Sequence, residues 1–142
     1  MKFRGEYNFL SNFHSAKVVY ESVEYPTVEN AYQAAKVDDI KLREYFTKSN
    51  PVEAKREGKK LSMVGLVRPD WDNIKVNIMY GLLKQKFSHP YLKKKLNEIR
   101  GPIIEHNEWH DNFWGSCTCN ICKDKGKNVL GKLLMKIREY KK

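Results

Sequence analysis

Apolar side chains recur along this chain with two different periods, and each period predicts its own kind of element. In the first quarter two short clusters, Phe9-Leu10 with Phe13 and Val18-Val19-Tyr20 with Val23 and Tyr25, are broken by polar residues at short spacing, which predicts brief strands and a small sheet. From Val28 the helical period takes over. Val28, Ala31, Tyr32 and Ala35 follow one helix face, with Thr27 placed to cap a helix from Val28 to Lys36. Asn50-Pro51-Val52-Glu53 is a sharper start signal: Asn caps, Pro suits the first helical position, and a Glu at the third reaches back to the capping amide. A helix from Pro51 to about Lys60 follows. Trp71, Ile74, Ile78 and Leu82 fall on one stripe, widened by Met79 and Leu83 towards Phe87, and predict a core helix from near Asp70. Ser88 and Pro90 open another, with Leu92, Leu96 and Ile99 inward and Gly101 at its close. Asn128 opens a last one carrying Leu130, Leu133, Leu134 and Ile137, and Pro102 to Glu105 reads as an additional strand. Roughly half the chain reads as helix. The expected fold is α+β: a predominantly helical single domain, residues 1–142, with a small β-sheet.

Composition narrows the picture. A chain of 142 residues with 41% hydrophobic and 12% aromatic residues can bury a real core, which excludes intrinsic disorder. No repeat, low-complexity tract or long linker divides it. The formal charge of +10 points to an anionic partner, either nucleic acid or a small phosphorylated molecule. No apolar run approaches the ~20 residues of a membrane span, and Met1 to Glu6 lacks the apolar stretch of a signal peptide. A cytoplasmic protein without a membrane partner is expected.

Four segments could carry chemistry. Asn107-Glu108-Trp109-His110-Asp111-Asn112-Phe113-Trp114-Gly115 fits neither the helical nor the strand period and reads as an ordered loop. Its indoles could stack on a planar base while Asp111 faces a sugar; the alternative is an aromatic corner that plugs the core. Glu29 lies in a first helical turn, where the dipole favours its ionised form. It could stabilise a cation or act as a base towards water, or simply complement the dipole. Lys36, late in the same helix, could meet a phosphate or solvent. Lys125-Gly126-Lys127-Asn128 could hold an anion at a helix start, or be an ordinary turn and cap. From Lys123 to Lys142, eight basic and two acidic residues form either a solvated face or a nucleic-acid footprint. Finally, Cys117, Cys119 and Cys122 crowd into six residues. They are either three reduced thiols or three zinc ligands, with His106, His110 or Asp124 as the fourth.

The segments Phe9 to Phe13 (FLSNF), Val23 to Lys36 (VEYPTVENAYQAAK), Pro51 to Lys60 (PVEAKREGKK), Arg68 to Met79 (RPDWDNIKVNIM), Asn107 to Gly115 and Gly126 to Met135 (GKNVLGKLLM) together resemble the NADAR, or YbiA-like, family. The resemblance implies an N-glycosidase that hydrolyses the bond between a ribose anomeric carbon and a nitrogen. It implies two substrate groups: phosphoribosylated pyrimidine amines of riboflavin synthesis, split into base and ribose 5-phosphate, and ADP-ribosylated guanine in DNA. The expected partner is thus a small phosphorylated riboside or ADP-ribosylated DNA; a module that binds ADP-ribose or nucleic acid without catalysis is a third reading. The chemistry calls for no metal and no redox cofactor. By resemblance the catalytic residues are Glu29 and Asp111, and the substrate-binding residues are Asn12, Lys36, Arg68, Trp71, Asn107, Trp109 and Trp114. Trp109 and Trp114 would sandwich the base, and Lys36 and Arg68 would meet phosphate. Asn30 stands where most members carry His, so a proton role for that imidazole is not expected.

Overall fold

A computed structural model describes residues 1–139, which pack as two compact units: Asn12–Lys86, and Met1–Ser11 together with the chain from Phe87 onward. In the first unit, strands β1 (Ser15–Tyr20) and β2 (Val23–Thr27) form an antiparallel hairpin in which Tyr20 pairs with Val23 and Val18 with Tyr25. Glu21 and Ser22 close it with φ of 47° and 72°. Two successive left-handed residues give the turn whose twist matches that of the strands. Val18 and Tyr25 turn inward from the hairpin.

Helix α1 (Val28–Ala34) follows directly, its start fixed by the Thr27 hydroxyl, which accepts from the Asn30 amide. It packs against β2 and the three other helices of this unit: α2 (Ile40–Lys48), α3 (Pro51–Met63) and α4 (Trp71–Lys86). Fully buried Ala31, Ala34 and Ala35 let those neighbours close in. Helix α3 begins with the expected reciprocal cap, in which Asn50 accepts from the Glu53 amide at 2.8 Å and Glu53 accepts from the Asn50 amide at 2.9 Å. That exchange satisfies two donors the helix start would otherwise leave open. Asn30 ties α1 to the end of α2. Its Nδ2 donates to the carbonyls of Phe46 at 2.9 Å and Ser49 at 2.8 Å. The side chain at this position is therefore spent on the core.

The second unit holds α5 (Pro90–Glu98), α6 (Val129–Glu139) and two short parallel strands, β3 (His106–Asn107) and β4 (Ser116–Cys117). Leu92, Leu96, Ile103, Leu130 and Leu134 are buried in it. Phe9 packs edge-on against Phe87, with ring centroids 6.4 Å apart. Of the basic run from 123 to 142, Lys141 and Lys142 lie outside the described residues.

Four expectations change. Gly5–Leu10 forms a 3₁₀ helix in place of a strand; it buries the adjacent Phe9 and Leu10 together, whereas a strand would turn one of them outward. Helix α2 carries no apolar stripe to announce it, because Ile40, Leu42 and Tyr45 are exposed and only Arg43 and Phe46 are buried. The buried face of α4 is Trp71, Met79, Leu82, Leu83 and Lys86, rotated away from Ile74 and Ile78, which are half-buried. Strand pairing begins at His106 and not within Pro102 to Glu105, since the Glu105 amide is taken by the Asn128 side chain.

Candidate functional site

The first turn of α1 places Glu29 in the interior, 7% exposed, with its backbone amide donating to the Asn12 carbonyl at 3.0 Å. One carboxylate oxygen accepts from Gln33 Nε2, one turn on, at 2.6 Å. Gln33 Oε1 is buried with no hydrogen-bond partner, as is Asn12 Oδ1. Buried polar atoms of this kind are rare and mark places where a bound group can supply the missing bond. Gly58 on α3 makes the approach to Gln33 feasible: a Cβ there would lie 1.8 Å from Gln33 Oε1.

Beside Gln33 opens a groove of about 650 Å³ between α1 and α3, lined by Lys36, Lys55, Arg56 and Lys59 together with Phe13, Val52 and Met63. Four cations on one concave wall form a phosphate-seeking surface. Burial holds the Lys36 ammonium below its ordinary pKa, the Glu29 charge works against that shift, and Lys75 and Lys55 reinforce it. Lys36 Nζ also lies 5.9 Å from the Tyr32 ring, which packs on the buried Trp71 ring at 5.0 Å. Lys55, Arg56 and Lys59 were not singled out from sequence. Their signal was the run of basic residues on α3, which reads equally well as a solvated face.

Arg68 is placed differently from a free phosphate ligand. Its guanidinium holds Asp70 through Nε at 2.8 Å and Asp38 through NH1 at 3.6 Å, and its amide donates to the Lys36 carbonyl. The Asp70 hydrogen bond, first among several carboxylate contacts, raises the Arg68 pKa. The residue staples the end of α1 to the start of α4.

In the second unit the aromatic segment is an ordered loop organised by two side chains. Buried Asn107 accepts from the amides of Trp109 and Asp111 and donates to the Asp111 carbonyl at 2.8 Å. Asp111 Oδ1 accepts from the amides of Phe113 at 3.1 Å and Trp114 at 3.0 Å. Trp109 is 50% exposed and Trp114 half-buried, so neither indole plugs the core. The Phe113 and Trp114 rings meet edge to face at 4.9 Å. Three amides of the Lys125–Asn128 segment are already engaged: Gly126 donates to Ser116 Oγ, Lys127 to the Asn112 carbonyl and Asn128 to the Gly115 carbonyl. They form a turn and cap, not an anion cradle. Gly126 serves a close approach there, since a Cβ would lie 2.3 Å from the Gly115 oxygen.

Comparison with known proteins places this arrangement. The NMR structure of the E. coli protein YbiA superimposes with a TM-score of 0.81 at 32% identity, covering 98% of this chain and 82% of that one. The fold is thus the α+β, mostly helical fold of that structure. The family model of the NADAR domain matches residues 2–140, and the chain belongs to the NADAR family. The N-glycosidase YbiA of E. coli K12 is 34% identical over 137 residues, 94% of this chain and 81% of that protein. The chloroplastic riboflavin biosynthesis protein PYRR of Zea mays is 36% identical over 143 residues, 90% of this chain; the match spans 22% of the length of that relative. No helix among the described residues is long and apolar enough to cross a membrane.

Proposed function

We propose that this chain is a cytoplasmic N-glycosidase that hydrolyses the bond between ribose C1 and the amine nitrogen of a phosphoribosylated pyrimidine, releasing the base and ribose 5-phosphate. The observation that carries the reading is the interior Glu29 carboxylate, hydrogen-bonded to Gln33, which itself lines a groove with four cationic side chains. The names of the relatives, an N-glycosidase and a riboflavin biosynthesis protein, support the same class of reaction.

As the C1–N bond breaks, its electron pair leaves with nitrogen and positive charge builds on the ribose ring. A fixed carboxylate lowers the barrier at that moment because it needs no reorganisation. Water then adds to C1, and its proton balances the departing amine. Glu29 stabilises the cationic ring or takes the proton from water. Lys36, with Lys55, Arg56 and Lys59, meets the 5-phosphate. The family resemblance gives Trp109 and Trp114 a role towards the base and Asp111 a role towards the ribose hydroxyls, and the 50% exposure of Trp109 supports its part. Tyr32 and Trp71 brace α1, which carries Glu29 and ends just before Lys36.

The net charge of +10 favours a second reading, removal of ADP-ribose from guanine in DNA, because a polyanion benefits from a broad basic surface. Incubation with the phosphoribosylated pyrimidine amine and, separately, with ADP-ribosylated DNA, followed by mass analysis of the products, tests both. Free pyrimidine and ribose 5-phosphate support the first reading. Release of ADP-ribose from DNA alone, with steep inhibition by salt, replaces it with the second. Binding without release of any base contradicts the assignment of an enzyme.

A further inference from the structure

The segment that carries Trp109 and Asp111 holds a second cluster that takes no part in the chemistry above. His110 Nδ1 and the sulfurs of Cys117, Cys119 and Cys122 all lie within 4.8 Å of one another. We propose that these four side chains form a structural zinc site that fixes the aromatic loop. The proposal goes beyond the glycosidase reading and does not depend on it.

Distances carry the argument. A zinc ion with Zn–S near 2.3 Å and Zn–N near 2.0–2.1 Å in a tetrahedron has N···S edges of about 3.6 Å. The Nδ1 atom lies 3.3 Å from Cys122 Sγ, 3.5 Å from Cys119 Sγ and 3.7 Å from Cys117 Sγ, which brackets that value on all three edges. Neutral thiols are weak hydrogen-bond partners and do not by themselves draw three sulfurs around one imidazole nitrogen. All three cysteines are free of disulfides.

The surrounding backbone is shaped to the cluster. His110, Lys123 and Asp124 have φ of 66°, 56° and 58°, a left-handed conformation uncommon outside glycine. The imidazole reaches the cluster from the aromatic loop, and the three thiols reach it from β4 and the turn beyond. The Cys122 amide donates to Cys119 Sγ at 3.4 Å, and the Cys117 amide donates to Asn112 Oδ1 at 2.8 Å. The first of these, an amide aimed at sulfur, favours the thiolate form that a metal needs, and the second ties the Cys117 backbone to the aromatic loop.

Of the three fourth ligands open at the level of sequence, the structure selects His110. His106 Nε2 faces Asp124 at 3.4 Å, and Asp124 accepts from the Ser116 hydroxyl at 2.6 Å, so those two groups are paired with each other and with the protein. Three thiolates and one imidazole complete a closed tetrahedron. Without an open position the ion holds structure and activates no water. Soft sulfur ligands in this geometry select zinc over magnesium or calcium. Binding displaces one proton from each thiol to solvent, so affinity falls in acid. Because His110 sits between Trp109 and Asp111, the ion clamps both neighbours at once.

The test uses the full chain, purified from zinc-supplemented medium without chelator. Elemental analysis is expected to give one zinc per chain, and Cys119→Ser and His110→Ala are each expected to lose most of it. Cobalt reconstitution of the unmutated chain removes any dependence on whether the variants fold. Intense visible bands of tetrahedral cobalt, with thiolate charge transfer, support the site. His110→Cys is expected to keep the metal and gain thiolate absorption. A protein that carries no stoichiometric metal, gives only the weak spectrum of octahedral cobalt, or keeps full zinc occupancy in Cys119→Ser overturns the proposal.

Discussion

Replacing Gly58 by alanine probes the contact that holds Glu29. A mid-helix Gly→Ala change ordinarily stabilises by roughly 0.8–1 kcal/mol. Here the new methyl would lie 1.8 Å from Gln33 Oε1 and 2.6 Å from its Cδ, so Gln33 must leave its rotamer. That movement breaks the 2.6 Å bond to Glu29, a hydrogen bond to a charged group worth about 1.5–3 kcal/mol. The loss exceeds the gain, and Gly58→Ala is expected to destabilise by about 1–2 kcal/mol, a fall in Tm of about 3–6 °C. In a Gln33→Ala background the obstacle is gone and the sign reverses, to a gain of about 0.8 kcal/mol. Urea unfolding of the wild type, the two single variants and the double variant gives the coupling energy directly. The expected value is about 2 kcal/mol or more. Stabilisation by the same amount in both backgrounds would refute the claim that Gly58 is kept for Gln33.

Two further predictions concern charge. Lys55→Ala and Lys59→Ala should each raise KM for the phosphorylated riboside by about tenfold, the loss of one charge-assisted contact, and leave KM for the dephosphorylated riboside unchanged; steady-state kinetics on the two substrates checks this. Lys86, 1% exposed at the end of α4, has its pKa pushed down by burial to about 7. Between pH 7 and about 10.4 the unfolded chain therefore binds more protons at this residue than the folded one, and stability rises with pH across that window. The full gain is on the order of 5 kcal/mol. Lys86→Met should flatten the rise, as measured by urea unfolding at ~pH 6, 8 and 9.5, and parallel profiles for the two proteins would contradict it.

The parts of the fold visible in sequence were those where local chemistry and packing agree. Thr27, Asn50 and Glu53 cap as their positions predict, and Val28, Ala31 and Ala35 all turn inward from one face. Helix α2 was invisible because its apolar residues point outward and a buried arginine takes their place: Arg43 donates to Glu21 at 2.6 Å and to the Val37 carbonyl at 2.8 Å. Lys86 misled for the same reason, since hydrophobic periodicity assigns a lysine to solvent. At the site, residue type and spacing nominated Glu29 and the aromatic loop. They could not say that Arg68 is bound to Asp70, that Asn107 organises its own loop, or that three of the groove's four cations come from α3. The Arg68–Asp70 and Asn107–Asp111 bonds join near neighbours but depend on loop conformations that no periodicity encodes, and the groove depends on α1 and α3 meeting in space. The cysteine spacing left three reduced thiols and three zinc ligands equally open, and it did not show that the loop bends at His110 to bring the imidazole to the three sulfurs.

The central claim is that an interior carboxylate at the head of α1 stabilises a cationic ribose. Opposite charges about 4 Å apart, at an effective dielectric constant near 20, interact by about 4 kcal/mol, which corresponds to about three decades in rate. Glu29→Gln removes the charge and keeps an oxygen that Gln33 can still donate to, so the fold is retained. The decisive measurement is release of ribose 5-phosphate from the phosphoribosylated pyrimidine amine by this variant and by the wild type. The account predicts a kcat lower by about a thousandfold with KM little changed. A variant that turns over within about tenfold of the wild type would contradict it.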